Sequence, residues 1–174
     1  MNKLALRALT LALIASAGAV DAAPSPQTGN VNVTATVNTS CTLTAPTDAA
    51  FGTVDPLPAA TLASTGGKIQ VKCNKGSVPA LTLNNGLNFS ASRRMINGAG
   101  DFLSYLIVQP LAGFVSCPAA GADSAWSGAT AVTVNAFAAT GGSQDVWICA
   151  QLTTPQLGAS AGTYSDTVIV TATF

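Results

Sequence analysis

The chain has 174 residues, of which 8% are charged against a usual quarter or so, and it contains no histidine and no glutamate. A Ser-His-Asp triad, a Cys-His pair and hydrolysis by paired glutamates are therefore excluded, and no catalytic residue is assigned. Beyond residue 22 the charges are five cations and six aspartates, a net −1, with Arg93 and Arg94 an isolated pair. No basic stripe is present to attract nucleic acid.

In chain order, Lys3 and Arg7 precede an apolar run from Ala8 to Val20 that stops at Asp21 among small residues. This is the pattern of a secretory signal, shorter than the about 20 residues a membrane span needs. Cleavage is expected between Ala22 and Ala23, leaving 152 residues, a length suited to one domain. The expected organisation is a signal over residues 1–22, an N-terminal extension over 23–40 and a β-domain over 41–174.

In residues 30–37, Val31, Val33, Ala35 and Val37 alternate with polar neighbours, which predicts a strand with one apolar face. Residues 68–73 repeat the pattern, with Ile69, Val71 and Cys73 inward and Lys68 and Lys72 outward, and Asn74-Lys75-Gly76 reads as a turn. Further strands are predicted at 80–83, 103–108, 131–136, 146–152 and 163–174, separated by Asn84-Asn85-Gly86, Asn97-Gly98 and Gly141-Gly142 as turns. No helical period follows the signal. The fold class is all-β, an antiparallel sandwich, with a closed barrel as the alternative.

Four cysteines in an exported chain predict two disulfides, and three pairings are possible. The sequence-local pairing, Cys41 with Cys73 and Cys117 with Cys149, is favoured. A zinc site lacks both a CxxC pair and histidine, so no metal and no cofactor is expected. Trp126 and Trp147 suit either a core or a sugar-stacking surface. The second leaves a monomeric, secreted glycan-binding module as the alternative function.

Several segments together resemble the spore coat protein U family, which includes subunits of archaic chaperone-usher pili. They are Cys41-Thr42-Leu43, Phe51-Gly52, residues 67–73, Arg93-Arg94-Met95, residues 103–107 and the closing motif Gly162-x-Tyr164-x-Asp166-Thr167-Val168, which continues to Phe174. The resemblance implies an immunoglobulin-like sandwich that lacks one strand, held by a periplasmic chaperone, passed to an outer-membrane usher and completed by the N-terminal strand of a neighbouring subunit. Val31, Val33, Ala35 and Val37 would then be the inserting side chains. It also implies a cell-surface polymer serving adhesion or biofilm formation. In this reading Cys117–Cys149 is an addition to the family frame.

Overall fold

The computed structural model describes residues 25–114, 116–121, 124–128 and 130–174. The expected signal, residues 1–22, lies outside them. The chain divides into two compact units, residues 1–36 and 37–174. In the first, residues 25–36 form no helix or strand, and Val31 and Val33 are 86% and 91% exposed. The strand predicted at 30–37 is therefore not formed in the single chain. Its alternation is present, but a strand exists only against a partner ladder, and none pairs with it here.

The second unit is an antiparallel two-sheet sandwich, and a closed barrel is not seen. Its strands are β1 (Cys41–Thr47), β2 (Ala60–Ala63), β3 (Gly67–Cys73), β4 (Ala80–Leu83), β5 (Arg93–Ile96), β6 (Phe102–Val108), β7 (Val132–Thr133), β8 (Gly142–Thr154) and β9 (Val170–Thr173). The larger sheet runs β1-β3-β8-β6-β5, with β2 also on β8, and the smaller runs β7-β4-β9. The 13-residue β8 spans the larger sheet: its first half pairs with β3 and its second half with β6 and β2.

The core lies between the sheets. Period-2 alternation on β3 sends Ile69, Val71 and Cys73 inward, where they meet Leu81 and Leu83 of β4, Val146 and Ala150 of β8 and Ile107 of β6. Trp126 and Phe137, 0% and 1% exposed, fill the centre. Gly67 lies where β3 meets the chain leaving β1; a Cβ there would stand 2.8 Å from the Thr47 carbonyl.

Several boundaries differ from the sequence expectation. The predicted strand at 131–136 shrinks to β7, because the chain turns into a 3-10 helix, Asn135–Phe137, that drives Phe137 into the core. The predicted strand at 163–174 is sheet only over β9, with Ser165 making an isolated bridge to Ile96 of β5. Of Gly141-Gly142, expected as a turn, Gly142 is already the first residue of β8 and pairs with Cys73. Strands β1, β2 and β5 were not among the predicted strands. The first two each have only one large apolar residue besides cysteine, and β5 begins with two arginines.

Candidate functional site

Both expected disulfides form. Cys41–Cys73 ties β1 to β3 at a directly opposed pair, and Cys117–Cys149 ties the connection between β6 and β7 to β8. Gln151 of β8 holds the same connection, accepting from the Gly121 N–H at 2.9 Å and donating to the Ala119 carbonyl at 3.1 Å.

Among the described residues, two of the edge strands of the sheets, β1 and β9, border the site. β1 pairs only with β3, and β9 pairs only with β4. Between the end of β1 and the C-terminal segment runs a cleft of about 530 Å³, with Thr47, Ala49 and Phe51 on one wall and Tyr164, Val168 and Val170 on the other. Ile69, Ile107, Ile148 and Ala150 of the larger sheet and Leu83 of the smaller also line it. A second hollow of about 770 Å³ adjoins it and shares Ala49, Phe51, Met95 and Tyr164. The alternating residues Val168, Val170 and Ala172 pack against the core yet stay only half-buried. An apolar strand edge next to a cleft is incompletely covered, and unpaired N–H and C=O groups beside it are a template for another strand.

The closing motif is a latch that builds one wall of this cleft. The Asp166 carboxylate accepts from the Tyr105 hydroxyl at 2.7 Å, the Leu87 N–H at 2.9 Å and the Asn88 amide at 3.3 Å. Gly86, at φ +81°, leaves the room the carboxylate needs, since a Cβ there would collide with it. Burial, and then the hydrogen bond to Asp166, pushes the Tyr105 hydroxyl far above the usual phenol range. Tyr164 donates to the Ser160 carbonyl at 2.8 Å and accepts from Asn97 at 3.1 Å, while Gly162 packs against Asn97. Thr167 faces outward, and Phe174 is 57% exposed beyond β9.

Sequence reasoning missed the other half of this latch. Arg93, 7% exposed, forks onto the Asn84 carbonyl at 2.7 and 3.1 Å and reaches the Trp126 carbonyl at 2.8 Å. Burial lowers its pKa, with Tyr105 and Asp166 acting the other way. Asn97, 8% exposed, holds the turn to Asp101 through its Oδ1. The signals were Arg93-Arg94-Met95, which carried the family resemblance without a role, and the Asn97-Gly98 and Asn84-Asn85-Gly86 spacings, which read as turns. Replacing Tyr105 with Phe should cost about 1–3 kcal/mol, because it strips a hydrogen bond from a carboxylate. Urea unfolding measures it; an unchanged midpoint would mean that the latch does not hold the C-terminal segment.

The tryptophans do not form a sugar platform together. Trp126 is fully buried, its indole N–H donating to the Thr130 carbonyl at 3.0 Å, so it is a core residue. Trp147 is half-buried, with the Lys68 ammonium 4.5 Å above its ring centre. Val31, Val33, Ala35 and Val37, the candidate inserting residues, are all exposed.

Comparison with solved structures finds a chain of the CsuC–CsuE chaperone-tip adhesion subunit pre-assembly complex from the archaic chaperone-usher Csu pili of Acinetobacter baumannii. The match has 24% identity and a TM-score of 0.51, and it covers 80% of this chain and 40% of that one. It is a likeness of fold, and the present chain spans less than half the length of that relative. No curated protein matches the chain. The model of the Spore Coat Protein U domain matches residues 27–171, all but the first 26 and last three positions. The chain thus belongs to the Spore Coat Protein U domain family.

Proposed function

We propose that this chain is a structural, non-enzymatic subunit of a bacterial surface polymer of the chaperone-usher type. Residues 1–22 act as a cleaved secretion signal, residues 23–40 as the extension that carries a donor strand, and residues 41–174 as the β-domain that receives one. The observation that carries this reading is the cleft between the end of β1 and the C-terminal segment, bordered by the unpaired edge of β9 and lined by half-buried apolar residues. The occupant is residues 30–37 of another copy or of a related subunit. Their four alternating apolar side chains, Val31, Val33, Ala35 and Val37, match a site that takes every second residue of an added strand.

A cleft of this kind needs a guardian before assembly, since its apolar lining would otherwise aggregate. A periplasmic chaperone fills that role and hands the subunit to an outer-membrane usher. The likeness to a chain from a chaperone–subunit pre-assembly complex supports this partner class. The low charge of the chain, 8%, suits a surface that is mostly covered in an assembly on the cell exterior, where it supports adhesion or biofilm formation.

The test is the physical state of native surface material. Subunits joined by inserted strands should form fibres by electron microscopy and run as a ladder of multimers in cold detergent, collapsing to monomer on boiling. Surface or secreted protein found only as a monomer by size exclusion would overturn the polymer reading.

A further inference from the structure

Asn74 follows β3 directly and holds the chain that enters β1. Its backbone N–H donates to the Ser40 carbonyl at 3.1 Å, and its Oδ1 accepts from the Ser40 N–H at 2.9 Å. Its Nδ2 donates to the Asn38 carbonyl at 3.0 Å. The amide is itself oriented by Ser77, 1% exposed, whose hydroxyl donates to the same Oδ1 at 2.7 Å. With the Cys41–Cys73 bridge at the next position, residues 38–41 are fastened in line with β1.

That fastening matters because the sequence around it has the makings of a hairpin. Asn38-Thr39-Ser40 is turn-prone, and it separates the alternating residues 31–37 from β1. β1 is an edge strand, so a segment reversing at 38–40 would find a free ladder beside it. Eight residues at about 3.3 Å each reach about 26 Å, enough to run back along the seven residues of β1 to Thr47, which lines the cleft. Self-capture would also be favoured by concentration: a segment on a short tether sees its own site at an effective concentration in the millimolar range. No donor from another copy at micromolar levels competes with that unless the reversal is prevented.

We infer that Asn74, braced by Ser77, is the device that prevents it: a positioning residue that keeps residues 38–40 extended and reserves the cleft for a strand from another copy. The inference rests on the donor-strand reading above. Without Asn74, the subunit should complement itself, becoming a stable monomer that neither accepts nor donates a strand.

The test uses the exported full chain, its Asn74→Ala variant and its Asn74→Asp variant, which keeps the acceptors for Ser40 and Ser77 but loses the donor to Asn38. A labelled peptide of residues 30–37 is offered to each, and proteolysis of the N-terminal extension is followed in parallel. The wild type should capture the peptide and have its extension cut. Asn74→Ala should capture at least about tenfold less, protect its extension and yield fewer multimers, with Asn74→Asp in between. Should Asn74→Ala not fold, Asn74→Asp reads the same quantities. Peptide capture and cleavage equal to wild type in the folded variants would overturn the clamp and leave the donor-strand reading standing. A wild type that captures no peptide would overturn the donor-strand reading, and this inference with it.

Discussion

Val33→Asp should abolish surface polymer while leaving the soluble subunit at its normal level. Val33 is 91% exposed in the single chain and lies outside the compact unit 37–174, so a carboxylate there disturbs nothing in that unit's core. Placed in a neighbour's apolar cleft, the same carboxylate would be desolvated without a partner, at a cost of at least about 3 kcal/mol. That corresponds to a factor above about 100 in the insertion equilibrium, and it recurs at every joint of a polymer. Thr34→Asp is the control. In a strand it points to the opposite face, so it should be nearly neutral. Chaperone-bound subunit and surface polymer, quantified side by side for both variants, decide the matter. Normal polymer from Val33→Asp, or equal damage from the two substitutions, would remove the donor-strand role of this segment.

Removing Cys41–Cys73 should impair folding and display far more than removing Cys117–Cys149. The two bridges have the same sequence separation, 32, so the loop-closure entropy is the same for both, about 3–4 kcal/mol each. The difference must come from what each releases. Cys41–Cys73 secures β1, an edge strand whose ladder already shifts register between Thr44 and Thr47 and whose one strand partner is β3. Its end forms a wall of the cleft, so a frayed β1 removes half of the site as well as part of the sheet. Cys117–Cys149 secures a connection that Gln151 also holds, so losing it leaves two hydrogen bonds in place. Double Cys→Ser variants of each pair, compared by urea midpoint and by surface display, test the ordering. Equal and complete loss from both would contradict it.

Sequence alone determined the elements whose information is local. Alternation marked β3 and β4, and short apolar runs bounded by turn residues marked β6 and most of β8, since a strand that faces the core must place apolar residues on its buried face, whatever it packs against. Cysteine number and spacing in an exported chain pointed to two bridges, and the absence of histidine and glutamate removed whole classes of chemistry. The same alternation in residues 30–37 was legible but incomplete, because a pattern shows which face is apolar and not which molecule covers it.

Tertiary structure decided the rest, for the reason that these features join residues far apart in the chain. Arg93 reads as a surface charge in sequence, yet the fold buries it and satisfies it with two carbonyls, from Asn84 and Trp126, that no local pattern pairs with it. Asp166, 61 positions from Tyr105, becomes the hub of the C-terminal latch only when β6 and the closing segment meet. Asn74 reads as a turn residue, and its hold on Asn38 and Ser40 depends on β1 and β3 being neighbours. The cleft itself is a property of two sheet edges left without partners. An unpaired edge has the same composition as a paired one, so only the arrangement of strands in space could reveal it.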